Sequence, residues 1–155
     1  MRSLAENRVR GDQNIAKWAS HVSGKLATGS TLPRWKEFTA ASIIDATGHV
    51  RTPRGQLAKE SLLRNLTILE RLGCLTPDNL AKLRRGRAPT ITRGPYAGEQ
   101  AEVDHIAPVS KAPRFENWIG NLEFMPRTLN RRKSDKMGER QEAMLNKLRA
   151  ASEKV

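Results

Sequence analysis

The chain has 155 residues, enough for one compact domain or one small domain with an appendage. Its 28 Lys and Arg against 16 Asp and Glu leave a net charge of +12, the electrostatic footprint of a nucleic-acid binder, although a basic chain also meets acidic partners and membrane surfaces. Only 5 % of residues are aromatic, too few for a platform that stacks single-stranded bases, and one cysteine excludes both an intramolecular disulfide and a cysteine-cluster zinc site. No stretch is apolar enough to span a membrane, and the opening residues carry no apolar signal core. The expected location is therefore cytoplasmic, with delivery as a toxin without a signal peptide as the other possibility.

In chain order, Leu4, Val9, Ile15, Trp18 and Val22 are spaced as on an amphipathic helix over residues 2–22. A Gly/Pro loop follows, then a second helix over residues 34–45 with Trp35 and Phe38 inward. "ATGHVRTPRG" breaks it. "QLAKESLLRNLTILERLG" is the clearest helix: Leu57, Leu62, Leu66 and Leu69 form one stripe, and Gly73 supplies the stop. Thr76 and Pro77 read as N-cap and first position of a short helix through Leu83. Near residue 88 the character changes to Gly, Pro and Arg. Beyond it "AEVDHIAPVS" reads as a strand that Pro108 terminates, "KAPRFENWIG" as a loop and "NLEFMP" as a second strand closed by Pro126. "RTLNRRKSDKMGERQEAMLNKLRAA" reads as one long helix, weakly interrupted at Gly138. The expected class is α+β and mostly helical: an α-helical part over residues 1–88, then a strand–strand–helix unit within residues 89–155.

The stretch "VDHIAP" holds one of the three histidines, His105, directly behind Asp104. Cutting a phosphodiester requires a nucleophile, help for the leaving oxygen and neutralisation of charge at phosphorus. A neutral imidazole takes a proton from water near pH 7, and a hard divalent cation on oxygen ligands supplies the rest. His105 is the candidate base. Asp104 is the candidate carboxylate ligand, and Asn130 offers a side-chain carbonyl as a second. Asn121, at the head of the second strand, is placed to hydrogen-bond across to the segment carrying His105 and hold the ring in aim. Arg131, Arg132, Lys133 and Lys136 follow on the same predicted helix, suited to phosphates on either side of a cut. Arg84, Arg85, Arg87 and Arg93 in the preceding loop are further candidates for backbone phosphates. Neighbouring strand residues point to opposite faces, so Asp104 and His105 serve one site only if the strand ends there.

These residues carry a resemblance. "VDHIAP", "NLEFMPRTLNRRKSD" and the strand–strand–helix order are similar to the HNH nuclease family, whose motif forms a ββα-metal finger. The variant with asparagine in the last position, found in the HNH domain of RNA-guided CRISPR effector nucleases, has a D-H-I-x-P stretch, an Asn, a second Asn nine residues on, and a Lys three further. Here these are Asp104-His105-Ile106 with Pro108, then Asn121, Asn130 and Lys133. The resemblance covers residues 98–138 and no guide-handling part. It implies metal-dependent cleavage with His105 as general base, Asp104 and Asn130 as ligands of one Mg2+ or Mn2+, Asn121 as the orienting residue and Lys133 near the scissile phosphate. Asn130, where many members have His, favours an oxygen-liking metal over zinc or nickel. The cysteine knuckle of many small members has no counterpart, so packing must hold the motif, with the N-terminal helices and the last helix as support.

The expected function is endonucleolytic cleavage of DNA, double-stranded by preference. The rivals are a DNA-binding protein that keeps the fold without the chemistry, and a toxin-type nuclease with the same chemistry. The helices of residues 56–84 read as scaffold, with a helix-turn-helix as the other reading. Glu102, on the face of Asp104 by period two, is expected to pair with an arginine, with a third acidic group near the metal as the other reading.

Overall fold

The computed structural model describes residues 51–153. The helices expected over residues 2–22 and 34–45, with Trp18 and Trp35, lie outside the described residues. Helix α1 (Pro53–Arg71) starts three residues before the leucine-rich stretch, because Thr52 is its N-cap: the Thr52 hydroxyl accepts from Gly55 N at 3.0 Å and Pro53 fits the first turn. At the other end Gly73 adopts φ 68°, and the chain closes a Schellman motif, with Gly73 N donating to Glu70 O and Cys74 N to Leu69 O. A Cβ at Gly73 would stand 2.1 Å from the Thr92 hydroxyl, so both the conformation and the space demand glycine. Helix α2 (Pro77–Arg84) repeats the Thr-Pro start with Thr76 as N-cap.

Strands β1 (Ala101–His105) and β2 (Leu122–Pro126) pair antiparallel, with Asp104 opposite Glu123 and His105 opposite Leu122. The connection holds two short 3-10 turns, Pro113–Phe115 and Ile119–Asn121. Helix α3 (Arg127–Lys133) follows β2 directly and packs on both strands, and α4 (Glu139–Glu153) closes the described chain. The single long helix expected after Pro126 is thus two helices. Ser134 takes φ 48° and ψ −145°, which no helix interior accommodates, and its N–H bonds back to Asn130 O. Gly138 is the start of α4 rather than a flaw in it: the Gln141 side chain accepts from Gly138 N at 3.1 Å, the reciprocal half of a capping box. No helix among the described residues is long and apolar enough to cross a membrane.

Three buried asparagines use their amides as stand-ins for a peptide group. Asn79 accepts from Thr90 N and donates to Thr90 O, both at 2.8 Å. Asn65 accepts from Phe124 N at 2.8 Å and donates to Leu122 O at 3.0 Å, pinning α1 to β2. Asn121 does the same to Ala107. Each gives buried backbone groups a hydrogen-bond partner, and Leu122 O is shared with the Ser61 and Arg64 side chains.

The core runs across residue 88. Leu62, Leu66 and Leu69 of α1 pack with Cys74, Leu80 and Leu83, and also with Ile91, Ala101 and Phe124 from the sheet side. Leu57 belongs to a second cluster with Ala107, Phe115, Leu145 and Leu148. Helix α1 therefore packs on β2, while α4 packs on α1 and on the connection between the strands, so that the last helix supports the unit through that connection. Trp118, half-buried, meets Phe115 edge-on at 5.1 Å, with the Arg54 guanidinium 4.5 Å above its ring. A Cβ at Gly120 would lie 2.9 Å from Leu57 Cβ, next to the α1 backbone. Gly120→Ala is expected to destabilise the protein by about 1–3 kcal/mol through overpacking, checked by denaturant unfolding. Burial pushes the Cys74 thiol up to about 11. It should resist thiol reagents at pH 8 in the native state and react on unfolding.

Candidate active site

The sheet's α3 face carries Glu102 and Asp104, two residues apart on β1. Helix α3 lays Asn130 and Lys133, three residues apart and so on one helix face, over them. The Lys133 ammonium bridges the Asp104 carboxylate and the His105 carbonyl oxygen. Asn130 Nδ2 donates to Glu102 Oε2 at 3.0 Å, and Arg127 Nε donates to Glu102 Oε1 at 2.8 Å. Burial works against ionisation of Glu102, but hydrogen bonds from Arg127 and Asn130 and the charges of Arg127 and Arg131 outweigh it and hold the carboxyl below its ordinary range.

The start of α3 is fixed from a distance. Pro126 has no capping side chain. Glu99 supplies the acceptor instead, taking Thr128 N at 3.0 Å and the Thr128 hydroxyl at 2.6 Å. A carboxylate there is also favoured by the helix N-terminus. The Thr128 hydroxyl and N–H, then the charges of Arg127 and Arg132, hold the Glu99 carboxyl below its ordinary range. Both carboxyls are depressed in the folded state. Their stabilising contribution is therefore full above about pH 5 and is lost as pH falls through the lowered values. The thermal midpoint should fall when the pH drops below about 4, and the drop should shrink in Glu99→Gln.

His105 is the last residue of β1, so its side chain is not bound to the strand's alternation. Its Nε2 lies 2.9 Å from Glu116 O. A carbonyl only accepts, so Nε2 carries the proton and Nδ1 keeps a free lone pair. Directly beyond, Ile106 N donates to Asn121 O at 2.8 Å. Asn121 Oδ1 accepts from Ala107 N at 2.8 Å, and its Nδ2 donates to Ala107 O at 3.0 Å. Asn121 is fully buried and ties down the turn that follows His105.

The structure therefore brings Asp104, His105, Asn121, Asn130 and Lys133 to one end of the sheet. Arg131 and Arg132 stand exposed on α3 beside them. Lys136 is not on that helix: it lies exposed in the turn between α3 and α4. Arg93 is exposed in the loop before β1, its backbone anchored to Leu72 O, and among the described residues no hydrogen bond joins it to the site. Glu102 forms the expected pair with an arginine, Arg127. The sequence reading did not single out Glu123, opposite Asp104, which pairs with Arg140 at 2.5 Å, or the capping role of Glu99.

Among the described residues no three His, Cys, Asp or Glu side chains cluster as a metal cage. The oxygens of Asp104 and Asn130 nevertheless suit a Mg2+-type ion, which keeps several waters and binds through one or two protein oxygens plus substrate phosphates. A positive group, the Lys133 ammonium, already sits on this carboxylate. No protein-family model matches the chain, and neither does any curated protein or solved structure.

Proposed function

We propose that the protein is a metal-dependent endonuclease of HNH type that hydrolyses phosphodiester bonds of DNA, double-stranded by preference. The observation that carries this reading is His105: one ring nitrogen is held by Glu116 O and the other is left basic, next to Asp104. On this reading His105 Nδ1 takes a proton from the attacking water. Asp104 and the Asn130 carbonyl oxygen would hold one Mg2+ or Mn2+, and such an ion would supply charge neutralisation at phosphorus and at the leaving 3′ oxygen. Asn121 keeps His105 in position through the Ala107 turn. Lys133 faces the scissile phosphate once the substrate draws it from Asp104. Arg131, Arg132, Lys136 and Arg93 contact flanking phosphates.

A second reading rests on the same pair. The Asp104–Lys133 contact is also what a structural ion pair looks like, and the protein would then bind DNA without cutting it. Both readings predict steep salt dependence of binding. Replacing Arg131 and Arg132 together with Ala should flatten the slope of log K against log salt by about two. Only the nuclease reading predicts a metal-dependent product from a fluorescein-labelled duplex. Bound but intact duplex under both Mg2+ and Mn2+ would favour the second.

A further inference from the structure

Glu102 stands outside the set of groups assigned above to the reaction, yet it is the partner of one of them. Its Oε1 is held by Arg127 Nε at 2.8 Å and its Oε2 takes Asn130 Nδ2 at 3.0 Å. A carboxylate offers acceptors only, so the end of the Asn130 amide that faces it must be the NH2. The carbonyl end is thereby turned away from Glu102, and Oδ1 bonds nothing among the described residues. Glu102 and Asp104 are two residues apart on β1 and share a face, so Asn130 over Glu102 is one step along the strand from Asp104. An asparagine with no such partner presents either end of its amide.

We infer that Glu102, clamped by Arg127, is a positioning residue that fixes the Asn130 amide with its carbonyl oxygen available to a divalent cation shared with Asp104. The inference rests on the reading of Asp104 and Asn130 as cation ligands and adds what orients one of them. Glutamine at 102 removes the constraint, because its own amide presents a donor as well as an acceptor and lets Asn130 turn over. Partners of this kind are worth about 10–100-fold in metal affinity.

The test is Mn2+ binding to the full chain, followed by titration calorimetry and by loss of the free-ion electron paramagnetic resonance signal. Glu102→Gln is expected to weaken Mn2+ about 10–100-fold, with circular dichroism near wild type and a thermal midpoint lowered only by loss of the Arg127 pair. In an Asn130→Ala background the same substitution should change Mn2+ affinity no further. Arg127→Gln, which leaves the carboxylate but frees it, should weaken binding in the same direction and by less, and serves if Glu102→Gln folds poorly. Unchanged Mn2+ affinity in a folded Glu102→Gln overturns the inference. So does an undiminished loss in the Asn130→Ala background, which would make Glu102 a ligand itself. Wild-type protein that binds no Mn2+ overturns the cation reading at its base, an outcome visible before any variant is compared.

Discussion

His105→Ala is expected to slow DNA cleavage by about 10²–10⁴-fold while DNA affinity stays near wild type. The size follows from what the imidazole does. Nε2 is committed to Glu116 O, so on the proposed mechanism Nδ1 takes the proton, and alanine would leave the water without a base. Affinity should survive because the proposed phosphate contacts are those of Arg131, Arg132, Lys136 and Arg93, none of which is bonded to the ring among the described residues. The ring is half-buried at a strand end and outside both core clusters, so its loss should leave the fold intact. Rates and gel-shift affinities on one duplex measure both. Parallel loss of binding and cutting would mean that His105 holds the turn rather than the proton.

Asn121→Leu is the substitution expected to damage the fold most. Asn121 and Ala107 are both fully buried, and the amide satisfies both the N–H and the C=O of Ala107. Leucine has similar bulk but leaves both groups without partner or water. At about 1–3 kcal/mol for each, the loss is about 2–6 kcal/mol, against a total stability of about 5–15 kcal/mol for a typical domain. The urea midpoint should fall accordingly. Asn117→Ala, an exposed neighbour in the same connection, should stay within about 0.5 kcal/mol. A small effect of Asn121→Leu would mean that the Ala107 turn relaxes to bond elsewhere, and that His105 does not depend on it.

Local signals in the sequence are legible where the deciding partner is also local. Thr76-Pro77 announces α2, and the leucine stripe and Gly73 announce α1. Thr52-Pro53 is the same signature, but the Gly and Pro around it read as a breaker, so the start of α1 is missed by three residues. The split of the last helix turns on the backbone of Ser134, and neither serine nor aspartate at 134 and 135 forbids a helix by type. The Gly138 and Gln141 pair was the available clue. Asn65 is hidden for a different reason. It sits among leucines and reads as polar surface, while its partners Leu122 and Phe124 lie 57 and 59 residues away. In the site, the order Asp104, His105, Asn121, Asn130, Lys133 is written in the chain. That Lys133 rests on Asp104 and Asn130 on Glu102 is set by how α3 docks, which Glu99 fixes through Thr128.

On the proposed reading Asp104 and His105 form a working site for cutting DNA. Supercoiled plasmid incubated with the purified chain in Mg2+, in Mn2+ and in EDTA, beside His105→Ala, tests it most directly. On that reading nicked or linear plasmid is expected with either metal, and little or none with EDTA or with the variant. Plasmid that is retarded on the gel yet stays supercoiled under both metals would contradict it, as would product that forms equally well without His105.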